Sequence, residues 1–346
     1  MRERTICHVF DLGATTGGSF IPLIGSLARA VTARGDRFVA FATDVPGATW
    51  PDELRASGAD LHLVHRDAEV IAGLRALQPS IVHTHFTRYD LPVLRGAPRA
   101  RIFWHVHSHR EILSPLARIK AFVKYRLLSR RVEAVVTVSG AMRDECIEWY
   151  APPERVRVVY NAVDPERFRP AQPEERAAAR FDFGISPSDR VILFFERRPY
   201  KGGAVLRRAL ALLPDHRLLV LGGAKADRDL FGEAPRVIAI ERVADSRRAY
   251  WAVDTLAFPS ENEAFGAVVI EALACGVPVA ASDIPAVHEI CDGLESAFIF
   301  PAGDGSALAA ALRSASSCAN ATSGRERVKE RFSLDRWTRD ILALYQ

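Results

Sequence analysis

The sequence predicts two α/β domains, each built around a parallel, doubly wound sheet. Short apolar strands alternate with helical patterns along almost the whole chain, which is typical of strands joined by crossover helices. A Pro-, Glu- and Arg-rich stretch at 161–188 interrupts this alternation, which then begins again. The length of 346 residues also exceeds the usual size of a single core. We therefore expect a first domain over 1–165 and a second over 166–332.

The first domain is predicted to open with a strand, a glycine-containing turn and a helix. The apolar strand 5–12 precedes a turn at 13–18, and leucine and valine recur at helical spacing within 20–34. The turn lacks the GxGxxG spacing of a dinucleotide fingerprint, which argues against a redox cofactor. It is either a tight turn that needs glycine or a place where backbone N–H groups approach a phosphate. The remaining predicted elements are strands at 38–42, 61–64, 81–84, 102–106, 134–138 and 156–160 and helices at 68–77, 115–131 and 141–149.

The second domain repeats the alternation after the stretch 161–188, which we interpret as the linker and the entry to that domain. Its predicted strands are 191–195, 218–221, 237–240, 255–258 and 279–281, and its predicted helices are 203–213, 246–252 and 267–275. The chain ends in a predicted capped helix over 333–346.

The composition is that of an ordinary globular protein, with 49% hydrophobic residues and a mean hydropathy near zero. The net charge of +4 is modest and spread along the chain, which is weak support for a nucleic-acid partner. Five cysteines form no CxxC pair and no His/Cys cluster of metal-ligand spacing. Neither a signal peptide nor an apolar stretch of ~20 residues is present in the sequence. We expect a cytoplasmic protein that binds no metal and no nucleic acid.

The predicted helix over 116–131 is basic and amphipathic. Leu116, Ile119, Val123 and Leu127 fall on one stripe, and six basic residues lie largely elsewhere. We favour a stripe packed against the core with a solvated arginine face. Weak contact with a membrane surface, or with an anionic acceptor, is the alternative.

Histidines follow two neighbouring strands of the first predicted sheet. His85 comes directly after one strand and His107 directly after the next, in the run FWHVHSH that also holds His105 and His109. Ligands bind beyond the carboxyl ends of such strands, so His107 is a candidate site residue, although a structural role is equally compatible with the pattern. No carboxylate or cysteine accompanies these histidines at a suitable spacing, which disfavours a metal.

The stretch 260–289 is the centre of the functional hypothesis. Glu263 and Glu271 lie on either side of Gly266, which begins a predicted helix and leaves its first N–H groups open to an anion. A diphosphate bound there would have a carboxylate for hydroxyl groups on each side, as a nucleotide-sugar requires. Capping and solubility explain two glutamates equally well from this spacing alone.

A second candidate for diphosphate binding follows the first strand of the second domain. Arg197, Arg198 and Lys201 stand beside the glycine-rich start of a helix. Guanidinium groups bind phosphate oxygens in a forked manner and an ammonium acts as a point charge. Exposed charges on a turn are the alternative, but their place at a strand's carboxyl end favours a site.

Together these motifs resemble the retaining family 4 glycosyltransferases of GT-B fold, over nearly the whole chain. The residues that carry the resemblance are the Gly-Gly pair at 17–18, VHTH at 82–85, VTVSG at 136–140, VVYNAVD at 158–164, RRPYKGG at 197–203 and the stretch 260–289. The resemblance implies two Rossmann-like domains facing across a cleft, with a C-terminal helix, 333–346, that crosses back to the first domain.

The resemblance also implies a role for each candidate residue. Glu263 would contact donor-sugar hydroxyls, Glu271 would hold the ribose, and backbone amides of Gly266, Ala267 and Val268 would meet the diphosphate. Arg197 or Arg198 would act with Lys201 to neutralise the leaving diphosphate, Gly18 would reach it from the first domain, and His107 would lie beside the transferring sugar. His85 and His109 fall on the acceptor side. The family's usual Gly-Arg before the lysine is Glu196-Arg197-Arg198 here, so the choice between the two arginines stays open.

The implied activity is transfer of a hexosyl unit from a nucleoside diphosphate sugar to an acceptor hydroxyl with retained configuration. A UDP-sugar is the commonest donor in the family, and a small molecule or an envelope glycan would be the acceptor. No metal or other cofactor is required, because Arg and Lys neutralise the charge. The alternatives are a GT-B epimerase or phosphorylase and a non-catalytic protein that binds sugar nucleotides.

Overall fold

The computed structural model describes residues 3–109, 114–195, 199–222, 231, 236–241, 243, 245–318 and 322–346. It divides into two compact units. The first consists of Met1–Ala162 with Leu334–Gln346, and the second of Val163–Ser333. Each unit contains one parallel sheet with helices, so the predicted α/β class with two Rossmann-like domains is confirmed.

The first unit holds a seven-stranded sheet in the order β3-β2-β1-β4-β5-β6-β7. Its strands are β1 (Thr5–Phe10), β2 (Arg37–Thr43), β3 (Asp60–Val64), β4 (Ile81–His85), β5 (Arg101–Val106), β6 (Ala134–Thr137) and β7 (Val156–Val158). Its helices are α1 (Phe20–Ala33), α2 (Trp50–Ala56), α3 (Asp67–Leu77), α4 (Asp90–Gly96), α5 (Pro115–Ala121) and α6 (Gly140–Glu148). The direction of strand order reverses between β1 and β4, which is where doubly wound sheets bind ligands.

The second unit holds a six-stranded sheet in the order β10-β9-β8-β11-β12-β13. Its strands are β8 (Arg190–Phe195), β9 (His216–Leu221), β10 (Val237–Ile240), β11 (Thr255–Phe258), β12 (Val279–Ser282) and β13 (Ala297–Phe300). Its helices are α7 (Pro173–Asp182), α8 (Gly203–Ala211), α9 (Arg247–Ala252), α10 (Ala267–Ala274), α11 (Pro285–Cys291), α12 (Gly305–Ser316) and α13 (Thr322–Arg331). The reversal point here lies between β8 and β11.

The last helix, α14 (Leu334–Leu344), packs in the core of the first unit. Trp337, Ile341 and Tyr345 are almost fully buried in the same apolar cluster as the inward residues of α1. Ser26 Oγ of α1 and Thr338 Oγ1 of α14 share a hydrogen bond of 3.0 Å. Burial of this apolar stripe fixes the end of the chain against the first sheet.

The segment that we interpreted as a linker contains a helix of its own, α7. Pro173 occupies its first position, where the missing N–H is not needed. Glu175 accepts a hydrogen bond of 2.8 Å from the backbone N–H of Gln172, which closes the first turn. The proline and glutamate that indicated a break in structure are thus helix-start signals.

The prediction of a single α-helix over 115–131 with its apolar stripe against the core is wrong. α5 ends at Ala121, a π-helical turn covers Phe122–Leu127, and a 3-10 turn covers Leu128–Arg131. The apolar stripe does not pack against the core, as we had favoured, but lies exposed. Lys124 and Tyr125 occupy the inward face instead, because Lys124 Nζ pairs with the buried Asp90 Oδ2 at 2.6 Å.

Candidate functional site

Lys201 and Glu263 form an ion pair in the second unit. Lys201 lies in a 3-10 turn after β8, and Glu263 lies in the loop between β11 and α10. These two strands are neighbours at the reversal point of the sheet, and Lys201 Nζ donates to Glu263 Oε1. Ser260 Oγ donates to the same oxygen at 3.1 Å. Only 21% of the Lys201 side chain and 13% of the Glu263 side chain are exposed, so salt screens this pair weakly.

Gly202 allows the loop with Lys201 to reach this position. Its φ is +80°, which favours glycine, and a Cβ placed on it would lie 2.0 Å from the carbonyl oxygen of Pro259. Any side chain would therefore separate the turn after β8 from the turn after β11. The sequence signal was the Gly-Gly pair after the lysine, and the structure shows that Gly202 carries a constraint of this kind.

Gly266 caps the N-terminus of α10 with a φ of +104°. It directs the backbone into the helix so that the N–H groups of Ala267 and Val268 belong to the first turn, where no intrahelical acceptor exists. The positive end of the helix dipole lies at the same point. A helix start of this kind suits an anion, and Glu263 precedes it by one short turn.

Glu271 lies in the second turn of α10. Tyr250 Oη donates to Glu271 Oε2 at 2.7 Å, which orients the carboxylate. Tyr250 is fully buried. Nothing in the sequence predicted that it contacts Glu271. Glu263, in the loop before α10, and Glu271, in its second turn, are thus each held by a side chain from outside that helix.

A small pocket opens beside the ion pair. Lys201, Ser260 and Val268 line it together with apolar residues of β8 and β11; its remaining lining residues are Phe194, Phe195, Ala257, Phe258 and Pro259. Lys201 Nζ also lies 5.8 Å from the centroid of the Phe258 ring. The pocket places a cation and a helix start around one concave space. Arg197 and Arg198, the other predicted phosphate ligands, lie outside the described residues.

In the first unit, the turn between β1 and α1 contains Gly17 and Gly18. A Cβ on Gly17 would lie 2.7 Å from Cβ of Ile21, so this position has no room for a side chain. Gly18, the predicted ligand residue, has a φ of +52°, and its Cβ would meet no atom within 4 Å among the described residues. The lack of room therefore falls on Gly17, whereas a side chain at Gly18 would have space but would strain the backbone at this positive φ.

Two of the predicted histidines of the first unit, His85 and His107, belong to one chain of hydrogen bonds. His107 Nε2 contacts His85 Nδ1 at 2.9 Å, and His85 Nε2 contacts His8 Nδ1 at 3.0 Å. His8 Nε2 lies 3.0 Å from Tyr345 Oη, at the end of the C-terminal helix. From this hydroxyl the chain continues to His83 Nδ1 at 2.7 Å and from His83 Nε2 to His105 Nδ1 at 3.2 Å.

These histidines are neutral in the folded protein. Burial lowers the pKa of His8 to about 3 and holds the pKa of His83, His85 and His105 well below the ordinary value. The pKa of the half-buried His107 is lowered by the same cause. A neutral imidazole has one N–H, so on each side of Tyr345 every donor of the histidine chain must point the same way. Nδ1 of His107, which bonds to no described residue, is a donor or an acceptor according to that direction.

His83, His85 and His105 also have ring nitrogens within 4.8 Å of one another. All but one of these nitrogens already contact another histidine or Tyr345, and the exception is His105 Nε2. The hydrogen-bond chain thus accounts for the cluster without an ion. His109, predicted on the acceptor side, is set apart from the chain, and its Nδ1 contacts Glu145 Oε2.

Sequence reasoning missed four residues of these sites. Tyr345 and Tyr250 were read only as parts of helices, Ser260 as part of a turn, and His8 as part of a strand. His8 is the residue with a usable signal, because it lies in β1 beside His83 of β4 in the sheet register. The strand order that makes β1 and β4 neighbours was needed to use it.

Comparison with known proteins shows to which family this chain is similar. Residues 23–167 match the family described as Glycosyltransferase Family 4, and residues 189–317 match the one described as Glycosyl transferases group 1. The chain belongs to the family 4 glycosyltransferases. The two matches cover most of the chain, one in each half, as the resemblance of the motifs predicted.

Curated relatives of this family 4 glycosyltransferase include several named D-inositol 3-phosphate glycosyltransferase. The protein of that name from Mycobacterium sp. (strain KMS) is 38% identical over 164 residues, which is 43% of this chain and 37% of the relative. The one from Saccharomonospora viridis is 35% identical over 243 residues, or 62% of this chain and 55% of the relative. The chain thus spans between 37% and 55% of the length of these two relatives.

Solved structures resemble this glycosyltransferase over its full length. A glycosyltransferase from Rickettsia africae ESF-5 has a TM-score of 0.84 at 20% identity and covers 100% of this chain and 98% of its own. Anabaena Alr3699/HepE in complex with UDP and glucose has a TM-score of 0.83 at 20% identity, with 99% of both chains covered. At this identity the likeness establishes the fold alone, and the predicted GT-B class is confirmed.

Proposed function

We propose that this glycosyltransferase moves a hexosyl unit from a nucleoside diphosphate sugar, with UDP as the first candidate nucleotide, to an acceptor hydroxyl with retained configuration. The observation that carries the proposal is the Lys201–Glu263 ion pair beside the start of α10. A cation and a row of backbone N–H groups match a diphosphate, and a carboxylate next to them matches sugar hydroxyls. Glu271, held by Tyr250, supplies the second carboxylate for a ribose.

The chemistry follows from where charge develops. The bond between the anomeric carbon and the diphosphate oxygen breaks, and both electrons go to that oxygen. The acceptor oxygen bonds to the anomeric carbon, and its proton passes to the departing diphosphate on the same face of the sugar. Lys201 and the first N–H groups of α10 stabilise the negative charge, which is the main catalytic contribution. Arg197 or Arg198 would supply a further positive charge that stabilises the departing diphosphate.

In the first unit, we propose that Gly18 contributes a backbone N–H to the diphosphate and that His107 contacts the transferring sugar through Nδ1. Support comes from the positive φ of Gly18, in the turn that follows the carboxyl end of β1, and from the hydrogen-bond chain that occupies the other nitrogen of His107. His85 would act through His107, because its two nitrogens are both engaged in the chain. His109 is assigned to the acceptor side.

The experiment is a donor screen followed by turnover. Thermal shift against UDP-, GDP- and ADP-sugars identifies the donor, because a ligand that binds only the native state raises the melting temperature. Nucleotide release is then measured with acceptors that include D-inositol 3-phosphate, the compound in the relatives' name. We expect release to depend on acceptor, the product to keep the anomeric configuration, and EDTA to leave turnover unchanged. Loss of turnover with EDTA would contradict the metal-free part.

A variant pair tests the assignment of the carboxylates. Glu271→Gln should mainly raise the KM for donor, because it weakens binding in the ground state and the transition state alike. Glu166→Gln is the matched control, since this side chain is 76% exposed and forms its ion pairs with Arg325 and Lys329 of α13, which do not line the pocket. Release of nucleotide without acceptor would favour a phosphorylase or epimerase, and binding without any turnover would favour a sugar-nucleotide sensor.

A further inference from the structure

The segment 115–131 exposes an unusual amount of apolar surface. Five large side chains in it are exposed, with relative exposures of 61% for Leu116, 61% for Ile119, 42% for Phe122, 39% for Val123 and 47% for Leu127. They are five of the eleven large apolar residues that are exposed within the part of the chain that the structure describes. Clustering of this kind marks an interaction surface, whereas scattered single residues do not.

The orientation of this segment is held by its inward face. Lys124 Nζ pairs with Asp90 Oδ2 and lies 5.4 Å from the centroid of the Trp104 ring, and Ser129 is fully buried. Turning the apolar stripe inward would break a buried ion pair, which is strongly unfavourable. The apolar side chains are therefore held outward by the protein's own contacts.

The same segment also exposes positive charge. Arg118, Lys120, Arg126 and Arg130 are exposed and form no ion pair with any described residue. The sequence from 114 to 132 contains no aspartate or glutamate. The net charge of the whole chain is only +4, so this is a local concentration of charge.

We propose that the exposed face of 115–131 docks on an anionic membrane surface. Leucine, isoleucine and phenylalanine would enter the boundary between headgroups and acyl chains, and the basic side chains would meet the anionic headgroups. A second copy of the chain is a poorer occupant, because two such faces would bring like charges together. Nucleic acid would match the charge but not the apolar side chains. The proposal does not rest on the proposed function.

Co-sedimentation with lipid vesicles tests the proposal. The chain is mixed with vesicles of phosphatidylcholine alone or with 30% phosphatidylglycerol, at ~0.1 M and ~0.5 M NaCl. We expect binding to the anionic vesicles, weaker binding at high salt and little binding to neutral vesicles. Absence of binding to anionic vesicles at low salt would overturn the proposal.

Matched variants separate the two contributions. I119S/L127S and R118S/K120S should each reduce binding about tenfold or more, through loss of inserted apolar area and of charge respectively. F181S and R34S/R339S are the controls, because these residues are exposed elsewhere on the chain and should leave binding unchanged. Equal losses in the controls would show a non-specific interaction. A dimer in sedimentation velocity that I119S/L127S abolishes, without vesicle binding, would assign the face to a second copy.

Discussion

Lys201 and Glu263 form an ion pair although their loops follow different strands. The two strands, β8 and β11, are neighbours at the point where the strand order of the second sheet reverses. Each side chain is mostly shielded from solvent. The pair thus keeps a cation and a carboxylate oriented at one sheet edge, and such preorganised groups need little reorganisation when they bind charge.

Removal of this cation should affect turnover more than folding. We expect Lys201→Met to lower kcat about a hundredfold, because the charge that develops on the diphosphate loses one donor. Arg217→Met is the control, since Arg217 pairs with Asp189 at similar exposure away from the pocket, with 23% of each side chain exposed. It should lower the free energy of unfolding and leave kcat near the wild-type value. Near-full turnover of Lys201→Met at saturating donor would refute the assigned role.

Gly202 offers a test of the loop geometry. We expect Gly202→Ala to lower the free energy of unfolding by several kcal/mol and to reduce turnover, because its Cβ would overlap the carbonyl oxygen of Pro259. Gly184 is the control: its φ is +63°, but a Cβ there meets no described atom within 4 Å. Gly184→Ala should cost only the backbone strain, about 1–2 kcal/mol. Chemical denaturation measures both, and equal costs would contradict the close approach.

Tyr345 joins two halves of the histidine chain. We expect Tyr345→Phe to lower the free energy of unfolding by about 1–3 kcal/mol, because His8 and His83 each lose a buried partner. Thr338→Val is the control, since it removes one hydrogen bond between the same helix and α1. A ¹H–¹⁵N spectrum of the imidazoles should also show a changed tautomer balance at His107 in Tyr345→Phe only. An unchanged His107 spectrum would mean that the chain does not transmit the orientation of its donors.

The buried histidines predict acid sensitivity. Their pKa values are lowered in the folded state, so below pH ~6.5 the unfolded chain binds protons that the native chain does not. Stability is therefore full above that pH and falls as pH decreases, by up to about 1.4 kcal/mol per pH unit for each histidine. His105→Leu should reduce the slope by up to one such contribution between pH ~6 and ~4. Denaturant unfolding across this range checks the slope, and an unchanged slope would contradict a neutral His105.

The alternation of strands and helices was sufficient to predict two parallel α/β sheets, because the period of apolar residues reports local structure directly. It also located Glu263, Gly266 and Lys201, since in such sheets the residues that follow the strands' carboxyl ends are known from the sequence alone. Local composition gave a wrong prediction at Pro173 and Glu175, which begin a helix within the segment interpreted as a linker.

Only the tertiary structure decided which distant residues meet. The register of β1, β4 and β5 and the return of the last helix bring His8, His83 and Tyr345 together, and no spacing along the chain encodes that contact. The structure also reversed the face of 115–131, because a single buried partner, Asp90, holds Lys124 inward against the preference of the apolar stripe. Local periodicity determines which elements form, whereas long-range pairing determines which of their faces is buried.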